Sequence, residues 1–374
     1  MEQRKKENSH HIFIRRSESE VLSRLRQMPE LYHRYLGMEE PWRERFLAFC
    51  QGKKTLPLLY DTVFKKMMSP EIHPERLEDC ISCLLGKQVK IKAVFPNENI
   101  LMDGETLMMM DILVELTDSS FVLVEIQKVP YYFPAERASC YSADLLLRQY
   151  SRTKSRLGRE FGYRDLKKVY TVVFYEKTTA DFHQFPDVFV HHAKTRCDSG
   201  LELNFLQEFY LISLDVFKKS EYAELRDPNN RLAGWLSFFS TESAEEAEAL
   251  CQTYPWLEEI YREMASYSRN PEEAIGMFSE MLREMDRNTV RYMVEDMKAT
   301  IEKQEKALKK QEKALKKAKA EQDKVLKQAQ AAQAAQDKAL KQAQAEREER
   351  EKALAKQDEQ QKEIERLKKL LAEK

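Results

Sequence analysis

LMMMDILVELTDSSFVLVEIQ, residues 107–127, decides how the rest of the chain is read. Two apolar runs are joined by a polar turn, and strand side chains alternate between two faces. On the second run Phe121, Leu123, Glu125 and Gln127 share one face, and Val122, Val124 and Ile126 share the other. On the first run Asp111, Leu113 and Glu115 oppose Ile112, Val114 and Leu116. The all-aliphatic faces join as one side of a sheet core, which leaves Asp111, Glu125 and Gln127 together on the other. Their convergence is a condition on register, because cross-strand partners point the same way. A two-residue turn at Asp118-Ser119 pairs Asp111 with Ile126 and sends Asp111 to the wrong face. A three-residue loop at Asp118–Ser120, or an equivalent bulge, pairs Asp111 with Gln127 and Leu113 with Glu125. An odd-length loop or bulge is therefore expected. The Met108–Met110 run reads as strand core.

Two carboxylates held close together suit a hard, oxygen-seeking cation such as Mg²⁺ or Mn²⁺. Such an ion lowers the pKa of water and stabilises the leaving oxygen of a phosphodiester. Gln127 can hydrogen-bond beside the carboxylates but carries no charge and cannot serve as a base near neutral pH. Taken alone, the hairpin signal is weak, and it favours ordinary polar residues at strand ends over a metal site.

Outward from the hairpin, the pattern alternates between helix and strand. Upstream, Ser19–Tyr35 and Pro41–Cys50 carry apolar residues at helical spacing, and Asp61–Met68 is a short amphipathic turn. Pro74–Leu85 reads as a helix stopped by Gly86, and Gln88–Phe95 alternates as a strand. Downstream, Phe133–Arg159 is one long helical pattern, and VYTVVFY (Val169–Tyr175) is a strand buried on both faces. Val188–Ala193 and Leu201–Leu214 read as further strands, the second with a helical ending. This order predicts an α/β layer fold with a mixed sheet. From Tyr222 onward everything reads as helix. The expected segments are 1–54, N-terminal helical; 55–220, the core; 221–300, a helical subdomain; and 301–374, a charged tail.

The long helix after the hairpin places Arg137, Tyr141, Arg148 and Arg152 on one face, with Arg156 at its edge. A basic stripe carrying an aromatic suits a phosphate backbone, and Lys65 is a further candidate contact. The competing reading is a solvated helix face with Tyr141 packed on the sheet.

The net charge of −1 hides an asymmetry. Ile301–Lys374 holds 21 Lys and Arg against 15 Asp and Glu, so the tail carries +6 and the remainder −7. Six scattered cysteines argue against a disulfide framework and for a reducing, cytoplasmic setting. Cys80-x-x-Cys83 lies in a helical segment without a second ligand pair, which favours buried thiols over zinc. His191 and His192 are strand neighbours that point to opposite faces, against joint metal binding. No apolar run is long enough for a membrane span, and the N-terminus lacks a signal-peptide core. No G-x-x-x-x-G-K-[ST] loop occurs, which argues against an ATP motor.

The tail repeats itself: QEKALKK at Gln304 and Gln311, DKVLKQAQA at Asp323 and DKALKQAQA at Asp337. Nothing after Gly276 breaks a helix, which at 1.5 Å per residue allows a rod of roughly 150 Å. Leu308, Leu315, Leu326, Leu340 and Leu354 form a thin stripe with a four-residue stutter. It reads either as a weak coiled coil, giving a homo-oligomer, or as a solvated helix or low-complexity tail.

Several motifs together resemble the PD-(D/E)XK nuclease family transposases. They are LPLLYDTVFKKMM, HPERLEDCISCLLG, MMMDILVEL, VEIQKVPYYFPAERASCYSADLLLRQYSR and YRDLKKVYTVVFYE, from about Leu56 to Phe217. The resemblance implies a restriction-endonuclease-like core, Mg²⁺- or Mn²⁺-dependent cleavage of DNA, and a link to transposition or recombination. It gives Asp111 the position of the first catalytic acid and Glu125 that of the second, with Gln127 in place of the motif lysine. Asp61 is the candidate for an additional metal-assisting acid, with Glu78 as second choice. Met110 precedes Asp111, so the literal Pro-Asp is missing. The rival expectation is an inactive nuclease fold that binds DNA or partners and oligomerises through its tail.

Overall fold

A computed structural model describes residues 11–95, 111–128 and 134–372. The chain divides into two compact units, Met1–Met297 and Lys298–Lys374. The first opens with α1 (Glu18–Arg26), α2 (Pro29–Leu36) and α3 (Glu40–Cys50). The single helix expected over Ser19–Tyr35 is broken in two. Pro29 lacks the N–H that a continuing helix needs, and it sits instead in the first turn of α2. A capping box starts α1: Ser17 Oγ accepts the Glu20 N–H, and Glu20 accepts the Ser17 N–H. Next come α4 (Asp61–Met67) and α5 (Pro74–Leu85), the latter ended by Gly86 at φ 64°.

Six strands form one mixed sheet: β1 (Ile91–Phe95), β2 (Ile112–Leu116), β3 (Phe121–Gln127), β4 (Val169–Tyr175), β5 (Val190–Lys194) and β6 (Gln207–Ser213). Their order is β1-β2-β3-β4-β6-β5. The β1-β2, β2-β3 and β5-β6 pairs are antiparallel; β3-β4 and β4-β6 are parallel. The parallel step from β3 to β4 needs a crossover, and α6 (Pro134–Leu157) supplies it. The strand expected over Leu201–Leu214 starts only at Gln207, and Leu201 and Leu203 remain exposed. The Met108–Met110 run expected as strand core lies outside the described residues.

Strand alternation distributes the core between two faces. Ile112, Val114, Leu116, Val122, Val124, Ile126, Val172 and Phe174 join the large cluster with the helices. Leu113, Phe121, Leu123 and Val169 pack on the other face against Tyr141 and Leu145 of α6. Tyr141 and Leu145 are one helical turn apart, so they meet the sheet together. Burial of such side chains contributes about 1.5–3 kcal/mol each. Because α6 covers the second face, β2, β3 and β4 are buried along their whole lengths.

The chain continues through α7 (Leu214–Phe217), α8 (Glu221–Leu225), α9 (Arg231–Ser240), α10 (Ala244–Thr253), α11 (Leu257–Tyr267) and α12 (Pro271–Ala372). The segments 1–54, 55–220 and 221–300 contribute to one buried cluster, which runs from Ile12 to Met281. Phe13 N–H donates to Glu248 at 3.2 Å, tying the first segment to the third, and Thr55 N–H donates to the Glu242 carbonyl at 3.0 Å, tying the second to the third. In the second unit every described side chain from 304 to 368 is exposed. Among the described residues no helix is long and apolar enough to cross a membrane.

Candidate active site

The β2-β3 loop determines where the carboxylates go. The ladder pairs Ile112 with Val124 and Glu115 with Phe121, which leaves Thr117–Ser119 as a three-residue loop. Leu116 N–H donates to the Ser120 carbonyl at 2.8 Å, and Ser119 N–H returns to the Leu116 carbonyl at 2.9 Å. Ser119 takes φ 64°, the left-handed conformation that three-residue hairpin loops place at their last position. The loop is odd, so the faces fall as expected. Its register differs by two residues: Leu113 meets Leu123 rather than Glu125, and Asp111 lies beside Glu125 rather than Gln127.

The result is a pair of crossed hydrogen bonds between Asp111 and the end of β3. Asp111 N–H donates to Glu125 Oε1 at 3.1 Å, and Ile126 N–H donates to Asp111 Oδ2 at 2.8 Å. Asp111, Glu125 and Gln127 are 5%, 3% and 5% exposed, so all three sit out of bulk water. Burial first, and then the charge of Asp61, push the Asp111 carboxyl up to about 7, against the opposing pull of Lys65 and the Ile126 N–H. Burial and then Asp111 raise Glu125 well above the usual carboxylate range, with Arg137 opposing. Two carboxylates that resist ionising together form a site with an affinity for positive charge.

Asp61 stands in the first turn of α4, and its negative charge acts on both Asp111 and Glu125. Lys65, one turn along the same face of α4, reaches Asp111 Oδ1 with its Nζ at 3.3 Å. Glu78 is engaged elsewhere: it accepts the Ile91 N–H at 2.8 Å and pairs with Lys90 at 2.6 Å. It anchors the start of β1, which removes it as the second-choice acid.

The expected DNA-facing stripe on α6 needs correction. Tyr141 is fully buried under the sheet, so its ring is closed to a ligand. Arg137 donates to the Tyr141 hydroxyl at 2.8 Å, and its charge acts on Glu125. Arg148 pairs with Asp144 at 2.7 Å. Arg152 lies 4.2 Å from the centroid of the Phe95 ring and is exposed. Helical periodicity groups these residues correctly but does not say which side of the group meets the sheet.

Sequence reasoning also missed a row of polar atoms. Gln127 pairs with Tyr175 across β3-β4, and Tyr175 with Ser213 across β4-β6. Gln127 Oε1, the Tyr175 hydroxyl and Ser213 Oγ are buried without a hydrogen-bond partner among the described residues. Buried polar groups left unpaired are uncommon and call for an explanation. The row lies at the carboxyl ends of parallel strands, beside Glu125. Its signal in the sequence was weak: a Tyr at the end of VYTVVFY and a Ser at the end of QEFYLIS.

The donor set fits a hard cation. Asp111 and Glu125 offer carboxylate oxygens, and Gln127 offers an amide oxygen with no hydrogen-bond partner among the described residues. Among the described residues no three His, Cys, Asp or Glu side chains already converge as a metal cage. The same holds for Cys80 and Cys83: the Cys80 thiol is buried, and burial holds it well above its ordinary pKa. His192 pairs with Glu208 at 2.9 Å and stacks on Tyr210, while His191 packs against Phe182 from the opposite face.

A mixed sheet flanked by helices, with acidic residues at the end of its central hairpin, defines a restriction-endonuclease-like fold. The family model of the PD-(D/E)XK nuclease family transposases matches residues 58–293. The chain belongs to that family, which assigns it a nuclease- or transposase-related role and implies DNA as the substrate class. Nucleases of this kind generally use divalent metal ions. No curated protein and no solved structure matches the chain.

Proposed function

We propose that the protein is a Mg²⁺- or Mn²⁺-dependent DNA endonuclease acting in transposition or recombination. The observation that carries this reading is the buried Asp111 and Glu125 side by side, the Asp111 N–H donating to Glu125 Oε1 and the Asp111 carboxylate accepting the Ile126 N–H. Asp111 and Glu125 would hold the ion, with Asp61 adding negative charge from α4. The bound ion would supply Lewis-acid activation of the phosphodiester. Gln127 Oε1 accepts a hydrogen bond from the attacking water and so orients it. In the reaction the water oxygen bonds to phosphorus, and one ester P–O bond breaks. The water gives a proton to solvent, and the leaving alkoxide takes one up.

The DNA contacts belong to the exposed end of α6 and the segment that follows it rather than to the helix's buried face. Arg152, Lys154, Arg156, Arg159, Arg164 and Lys167 are exposed there, and no salt bridge to them occurs among the described residues. Tyr163, 77% exposed, stacks on Tyr150 with centroids 6.2 Å apart. Such a patch on an acidic body suits a phosphate backbone.

Supercoiled plasmid incubated with the protein and Mn²⁺ tests the proposal. Nicking or linearisation is expected from wild type, with a loss of about 100-fold or more in Asp111→Ala and Glu125→Ala. Cleavage that persists unchanged in both variants would overturn it.

A further inference from the structure

The site has an electrostatic deficit. Three carboxylates, Asp61, Asp111 and Glu125, act on one another at the end of β3. Hydrolysis of a phosphodiester adds negative charge at the same place, and a positioned cation at that point stabilises the transition state. The residue that follows Glu125 on its face is Gln127, which is neutral. The chain therefore has to bring an ammonium or guanidinium group from elsewhere, unless the ion alone meets the need.

Four basic residues near this region can be compared. Lys128, next to Gln127, is drawn away from the site: it pairs with Glu176 at 3.2 Å and lies 3.6 Å over the Tyr60 ring. Lys66 pairs with Glu273 at 2.8 Å and lies over the Tyr267 ring at 4.1 Å. Arg137 donates to the Tyr141 hydroxyl beneath α6, and its charge acts on Glu125 rather than on the solvent-facing side of Asp111. Lys65 forms an ion pair with a site carboxylate, Asp111 Oδ1 at 3.3 Å. Its side chain is 28% exposed while that of Asp111 is 4% exposed, so the ammonium stands between the buried acid and solvent. A phosphate arriving from solvent meets Lys65 before it meets Asp111. The flexible four-carbon stem lets the ammonium turn from the carboxylate to the phosphate or to the attacking water.

We infer that Lys65, carried one helical turn from Asp61 on α4, is the catalytic ammonium of this site, doing from another element what neutral Gln127 cannot do. The inference rests on the nuclease reading given above. Lys65 pairs with Asp111 in the absence of substrate. In the reacting complex it contacts a non-bridging oxygen of the scissile phosphate and leaves the Asp111 oxygen free. Its position beside a cation-binding pair has a second consequence. Lys65 is a positive charge that opposes the entry of another.

The test uses the full chain, with two readouts for each variant: single-turnover plasmid cleavage in Mn²⁺, and Mn²⁺ affinity by calorimetric titration without DNA. Lys65→Met is expected to slow cleavage about 100-fold or more while binding Mn²⁺ several-fold more tightly. The double variant Lys65→Met with Gln127→Lys is expected to recover at least about tenfold of the lost rate, because it returns the charge to the site from β3. Lys65→Met cutting at the wild-type rate would overturn the inference and leave the nuclease reading intact. Loss of cleavage together with weaker Mn²⁺ binding would also overturn it, because Lys65 would then only hold Asp111 in place. A wild-type chain that cuts no DNA in Mn²⁺ or Mg²⁺ would overturn the nuclease reading and this inference with it.

Discussion

At the scale of single residues, the Asp111–Glu125 pair costs stability whenever it is ionised without a cation. The folded-state pKa of Asp111 is pushed up to about 7, above the value near 3.9 of an unfolded chain. Between about pH 4 and pH 7 the folded state therefore holds the proton that the unfolded state has lost. Stability contributed by protonated Asp111 is full below about pH 4, falls as pH rises to about 7, and is flat above. Glu125 shifts in the same direction. In chelator, wild type should melt at higher temperature at pH 5 than at pH 8. Asp111→Asn should flatten that slope and stabilise the protein at pH 8 by up to a few kcal/mol. Parallel pH profiles for the two proteins would contradict this account. Tyr141 makes a different prediction: as a fully buried ring under the sheet, Tyr141→Ala should cost about 3–5 kcal/mol in urea unfolding.

At the scale of elements, the hairpin shows what was legible in the sequence. Alternation in ILVEL and FVLVEIQ assigns every side chain to a face, and a face depends only on the parity of the loop. Two three-residue loops, Thr117–Ser119 and Asp118–Ser120, have the same parity, so the faces were readable and the register was not. The choice comes from local bonding. The Asp118 carboxylate accepts the Ser120 N–H at 2.9 Å, and Ser119 takes the left-handed conformation between them. Ser119→Gly should relieve that conformation and stabilise the protein by about 1 kcal/mol in urea unfolding. No change, or a loss, would argue against the loop as described. The docking of α4 on Asp111 could not be read at all. DTVFKKM shows an amphipathic turn, but which lysine meets which acid depends on tertiary packing. The α6 stripe failed for a similar reason: Tyr141 and Leu145 turn to the sheet, while Leu147 stays 65% exposed.

At the scale of the whole molecule, the catalytic strands depend on segments far away in sequence. Arg16 donates to the Ser268 carbonyl at 3.0 Å, and Lys66 pairs with Glu273 at 2.8 Å. The first unit thus owes its core to both ends of its sequence. The tail has no such role among its described residues, because Leu308, Leu315, Leu326, Leu340 and Leu354 are all 57–61% exposed. Its helix draws on propensity and on pairs such as Glu302–Lys306. A chain ending at Met297 should therefore melt within about 2 °C of the full protein. Homo-oligomerisation through the exposed leucine stripe remains a proposal. It requires that the same truncation reduce the mass seen by light scattering to that of one copy.

The central claim is that two buried carboxylates at the end of β3 form a dication site, and a thermal shift with Mn²⁺ tests it most directly. A ligand that binds only the folded state raises the melting temperature as its concentration passes the dissociation constant. Wild type should rise with added Mn²⁺ at pH 8, and Glu125→Gln and Asp111→Asn should not. An equal rise in all three proteins would place the metal elsewhere and contradict the account.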